Sequence, residues 1–74
     1  MKYSELKLCF RGKGRVFVKK SIALGFDFDA GGKPIKYRIR KMIPKNKRYC
    51  VGYDCILEGS FFRKARCCDL EKTK

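Results

Sequence analysis

The sequence predicts an all-β domain, or a mainly β one with a short C-terminal helix, in which four to five antiparallel strands form a small curled sheet or an OB/SH3-like barrel. Three observations lead there. Apolar and polar residues alternate with period two over several short stretches. Glycine- and proline-containing turns separate those stretches. The chain has only 74 residues, and a chain of that size buries only about 60% of the surface its unfolded form exposes, so curling or closing the sheet is the economical way to cover an apolar face.

In chain order, Leu6, Leu8 and Phe10 alternate with Lys7, Cys9 and Arg11, and after Gly12-Lys13-Gly14 the residues Val16 and Val18 alternate with Arg15, Phe17 and Lys19. This reads as a hairpin. A three-residue loop pairs Phe10 with Val16 and Leu8 with Val18, keeps the aliphatics on one face, and puts Gly14 where a positive-φ bulge residue belongs. The other face would then oppose Arg11 to Arg15 and Lys7 to Lys19, with Phe17 beside Cys9. Phe17 is expected either to stack a nucleobase among these cations or to lie under the C-terminal segment.

From Ser21 to Asp29 the alternation of Ile22, Leu24, Phe26 and Phe28 favours a further strand over a short helix at Lys20 to Leu24. It enters a turn at Ala30-Gly31-Gly32-Lys33-Pro34. Ile35, Tyr37 and Ile39 then face inward while Lys36, Arg38 and Arg40 face outward, until Pro44 stops the run. Cations two residues apart on a strand lie about 7 Å from one another, close to the spacing of phosphates along an extended nucleic-acid strand. The bland alternative is an edge strand whose cations discourage aggregation.

Pro44 to Arg48 form a turn with Lys45, Lys47 and Arg48 at its tip, read as a groove-inserting arm or a soluble turn. Tyr49, Val51, Tyr53 and Cys55 follow on one face of a strand, with the tyrosines expected to be at least partly buried. Ser60 to Cys68 fits a last strand or a Ser60-capped helix, and the helix is favoured. Asp69 to Lys74 is expected to fray. Residues 1–74 read as one basic domain with no linker or internal repeat.

Charge carries the functional expectation. Twenty Lys and Arg against seven Asp and Glu give a formal charge of +13, beyond the magnitude of about 2 to 8 that keeps a small domain soluble. Self-repulsion of this size opposes compaction, so a polyanionic partner is expected. DNA or RNA comes first, bound through phosphates with low sequence specificity because nothing resembles a recognition helix. The rival is a small phage-type inhibitor or adaptor directed at an acidic or nucleic-acid-binding surface of a host protein complex; an anionic membrane surface is a further polyanion, and a homodimer is compatible with the thin core. The candidate contacts are Lys7, Arg11, Arg15, Phe17, Lys19, Lys36, Arg38, Arg40, Lys45, Lys47 and Arg48.

Catalysis finds little support: there is no histidine and no phosphate loop of recognised form, and Asp27 with Asp29 lacks the third oxygen ligand a metal-assisted nuclease needs. No cofactor is expected. Cys50, Cys55, Cys67 and Cys68 could supply four thiolates to zinc, but without paired Cys-x2-Cys knuckles; a disulfide from Cys50 or Cys55 to the Cys67-Cys68 pair is an alternative, and apolar free thiols lead. An odd cysteine count, no apolar run near the roughly 18 residues of a membrane helix and no signal-like amino end point to a cytoplasmic, reducing setting.

Gly14 to Lys20, Leu24-Gly25-Phe26 and Gly32 to Ile35 resemble the AbrB-type swapped-hairpin DNA-binding domains, with their Gly-Arg/Gln-Val strand, Leu-Gly helix end and Gly turn. The resemblance implies a dimeric DNA binder with Arg15 at the duplex. This chain departs from the pattern in lacking the proline after the strand and in needing a deletion and an insertion, and no family is assigned.

Overall fold

The computed structural model describes residues 1–44 and 52–73. Among these described residues it is mainly β, with five antiparallel strands in one open sheet and one α-helix. The elements are α1 (Tyr3–Arg11), β1 (Arg15–Val18), β2 (Tyr37–Met42), β3 (Cys55–Glu58), β4 (Phe62–Ala65) and β5 (Leu70–Lys72). Their spatial order is β4-β3-β2-β1-β5, so the sheet has two edges and does not close into a barrel.

The expected first hairpin strand is the helix instead. Residues 3–11 satisfy both periods: Leu6, Leu8 and Phe10 are two apart, while Tyr3, Leu6, Cys9 and Phe10 recur at helical spacing. Leu6 is fully buried and Leu8 is two-thirds exposed, as only the helical period allows. Glu5 accepts the Lys2 amide at 3.2 Å, which caps the first turn. At the other end the Gly14 amide donates to Cys9 and the Lys13 amide to Phe10, the paired bonds of a Schellman termination. The left-handed position in it belongs to Lys13 (φ 56°), not to a glycine. Gly14 is needed for space, since a Cβ there would stand 2.8 Å from Cys9 Sγ.

Period two holds where the sheet forms. Val16 faces Tyr37, Val18 faces Leu70, Ile39 faces Leu57 and Cys55 faces Ala65 across the strands, and these residues with Leu6 are the buried core. Helix α1 covers part of this face, where Glu5 pairs with Lys72 of β5 at 2.7 Å. Burial first, then the Asp54 charge and Cys67, push the Cys55 thiol up to about 12.

The rest of the core face is covered by the connection from β1 to β2. No strand forms at Ser21 to Asp29 beyond an isolated bridge between Phe28 and Pro34. Ile22, Leu24 and Phe26 are exposed and Asp27 is buried, the reverse of the alternation's expectation. Asp27 sets this reversal. Its carboxylate accepts the Leu24 amide at 2.9 Å, the Tyr37 hydroxyl at 2.7 Å and Arg63 Nη1 at 2.6 Å, forcing a 3-10 turn at Gly25–Asp27. The glycine turn forms as expected, with Asp29 Oδ1 accepting the Gly31 and Lys33 amides.

The carboxyl-terminal third also departs from expectation. Phe62–Ala65 is a strand rather than a helix, because it pairs along the whole of β3. The expected frayed tail is paired as far as Lys72: Leu70 is fully buried and Leu70–Lys72 pairs with β1. Tyr53, expected to be at least partly buried, is 42% exposed. The basic tip at Lys45, Lys47 and Arg48, together with Tyr49, Cys50 and Val51, lies outside the described residues.

Candidate functional site

With α1 and the β1–β2 connection on one face, the other face of the sheet is open. Strand alternation decides what stands there. One row runs straight across four strands, Arg15 opposite Arg38, Arg38 opposite Glu58 and Glu58 opposite Phe62. A second row is Lys41, Ile56 and Lys64, and a third pairs Phe17 with Glu71. The partner opposed to Arg15 is therefore Arg38 and not Arg11, and Phe17 stands beside Glu71 rather than Cys9. Phe17 is half-buried, between the two alternatives its sequence context left open.

The register breaks between Ile39 and Lys41, so Arg40 has no cross-strand partner. A bulge of this kind bends its strand and re-aims its side chains. Arg40 reaches over β3 and sets its guanidinium 4.5 Å from the centre of the Phe62 ring on β4. Lys41 joins Arg38 on the open face, where unbroken alternation would have turned it inward.

At one corner this face opens into a cleft of about 630 Å³. Strand β1 begins at Arg15, opposite Arg38, so no part of β1 flanks Ile39 to Lys41. The helix end and the Gly12 to Gly14 turn form the opposite wall. The lining carries five cations, Arg11, Lys13, Arg38, Arg40 and Lys41, with Phe10 and the single carboxylate Glu58. Among the described residues the ion pairs are Arg63 with Asp27 and Lys72 with Glu5, so none of the five is held in one of them. Arg11 and Lys13 also stand at the carbonyl end of α1, where a cation is favoured by the helix dipole.

The remaining expected contacts are dispersed. Lys7 is exposed on α1, on the covered side of the sheet; Lys19 follows β1 and its amide bonds Asp69; Lys36 is exposed ahead of β2. The structure thus gathers Arg11, Arg15, Phe17, Arg38 and Arg40 and leaves Lys7, Lys19 and Lys36 aside. It adds Lys13, Lys41 and Phe62. Lys13 could have been found from the helix stop signal of Gly-Lys-Gly, and Lys41 from the adjacent cations Arg40-Lys41, which no regular strand sends to one face.

Among the described residues no three Cys, Asp or Glu side chains are gathered for a metal ion, and Cys9, Cys55 and Cys68 are free thiols. Asp27 is held in its buried network and Asp29 in its turn, so the two carboxylates do not converge. Burial acts to raise the Asp27 carboxyl, but the Leu24 amide, the Tyr37 hydroxyl and the Arg63 charge outweigh it and hold it below the usual range. The reciprocal effect, burial first and the Asp27 bond second, pushes Tyr37 up to about 12. No described helix is long and apolar enough to cross a membrane. Comparison with protein-family models, curated proteins and solved structures finds no match to this chain.

Proposed function

We propose that the protein binds nucleic acid through phosphate contacts, using the cleft and the adjoining open face, with low sequence specificity and inside a reducing compartment. One observation carries this reading: five cations surround one cleft with one carboxylate among them, and none of the five takes part in the ion pairs found among the described residues. Uncompensated charge of one sign in a concave, partly low-dielectric site concentrates anions, and a polyphosphate can meet several of these groups in a single binding event. Sequence would be read weakly, because among the described residues neither a helix nor a two-stranded ribbon projects from the open face to enter a groove.

The test is a titration of oligonucleotides at several salt concentrations. Affinity is expected to fall log-linearly with salt. Replacing Arg38 and Arg40 together by Ala should lower the slope by about 1.4 to 1.8, two phosphates at 0.7 to 0.9 each. Unchanged binding in the double variant would remove the cleft from the site. A second reading, an adaptor or inhibitor that docks on an acidic protein surface, is favoured by the exposed apolar group of Leu24, Phe26 and Phe61. It requires weak, general oligonucleotide affinity and one tight protein partner.

A further inference from the structure

Exposed aromatic rings on the open side carry cations against them, although Glu58 stands opposite Phe62 across the strands. Phe62 is 59% exposed, although it stands in a paired strand, and Arg40 lies 4.5 Å from its ring centre. Tyr53 is 42% exposed, with Arg66 Cζ at 5.8 Å and Lys64 Nζ at 6.0 Å from its ring centre. Both aromatics adjoin β4, where Phe62 and Lys64 point to the open face and lie about 7 Å apart. That spacing is close to one nucleotide of an extended strand. An exposed phenyl ring is unfavourable in water, and its ordinary remedy is burial. Arg40 lies over the ring, and the 59% exposure of Phe62 leaves room for a flat partner to extend the stack.

Resting on the nucleic-acid reading above, we infer that the ligand is single-stranded, with one unpaired base stacked on Phe62 and the Arg40 guanidinium, a neighbouring base at Tyr53, and the backbone phosphates held by the cleft cations and Lys64. A duplex cannot use this arrangement. Its bases offer only their edges, and their flat faces are occupied by one another. A single strand exposes those faces and also contributes the phosphates that the flanking cations require. The arrangement does not select one base, because every base has a π-face. It does set the polymer's form. Phe62 and Arg40 therefore act together: the arginine orients the ring, neutralises a phosphate and forms part of the stacking surface.

The chain contains no tryptophan, so Phe62→Trp provides a unique fluorophore at the proposed stack. The probes are a twelve-nucleotide single strand of mixed sequence and its blunt duplex, each carrying a terminal dye so that anisotropy reports binding independently of the indole. The single strand is expected to bind at least tenfold more tightly than the duplex and to quench the indole. Phe62→Ala should weaken single-strand binding by roughly 5- to 150-fold, leave the salt slope unchanged, and bring single-strand and duplex affinities together. Should both forms bind with equal affinity, or should binding leave the indole fluorescence and the Phe62→Ala affinity unaltered, the single-strand inference is overturned while phosphate binding stands. If neither probe binds at low salt, the nucleic-acid reading fails and this inference with it. Because Phe62 lies on a surface strand, thermal melts that match those of the parent protein will separate loss of binding from loss of fold.

Discussion

Lys13 holds a left-handed backbone, φ 56°, at the position after α1 where glycine is the usual occupant. A side chain there costs about 1–2 kcal/mol through the contact of Cβ with its own carbonyl oxygen. Glycine would relieve that contact and would lose about 0.5–1 kcal/mol to the greater freedom of the unfolded chain. Backbone strain at a non-glycine residue is retained where the side chain serves a purpose, and Lys13 lines the cation cleft. Two substitutions separate the effects. Lys13→Ala removes the ammonium and keeps the strain; Lys13→Gly removes both, and any loss of favourable interaction with the helix dipole is common to the two. Lys13→Gly should therefore be more stable than Lys13→Ala by about 0.5–1 kcal/mol, which in a domain of this size is about 2–8 °C in Tm. Both variants should lower the salt slope of oligonucleotide binding equally, by about 0.7 for a single strand. Calorimetry with anisotropy titrations reads both quantities. Equal stability of the two variants would refute the strain argument, and an unchanged slope would falsify the placement of Lys13 in the binding site.

Three further outcomes follow from particular residues. Because the Asp27 carboxyl is held below its ordinary value, its contribution to stability is present above the unfolded pKa of about 3.9 and is lost as pH falls through the folded value. Asp27→Asn should then lower stability by about 1.5–3 kcal/mol at neutral pH, and urea melts should show the difference shrinking below about pH 4. Leu70→Ala removes a fully buried side chain and should cost about 2–5 kcal/mol, out of the roughly 4–11 kcal/mol a domain of this length has; a denaturation midpoint equal to the parent's would mean the last strand does not dock. Glu58→Gln removes the carboxylate of the cleft and should tighten oligonucleotide binding about two- to fivefold at low salt, with weaker binding as the contrary result.

The sequence by itself determined the class of fold and the chemical character of its surface. Alternation through Ile35, Tyr37 and Ile39 marks a strand with one wet face, which forms at Tyr37–Met42, and the excess of Lys and Arg over Asp and Glu holds in any fold. Local periodicity could not decide Leu6 to Phe10, where two periods fit the same residues and burial of Leu6 against the finished sheet selects the helix. Nor could it decide Ser21 to Asp29, where Tyr37 and Arg63, distant in sequence, draw Asp27 inward and turn the apolar residues out. Leu70 reads locally as part of a polar tail because its partner Val18 lies far away in the chain. The cleft likewise required the tertiary structure. Arg11 and Lys13 come from a helix end and Arg38, Arg40 and Lys41 from a bulged strand, and only packing brings these charges together, since burial of the apolar groups beneath them outweighs their mutual repulsion.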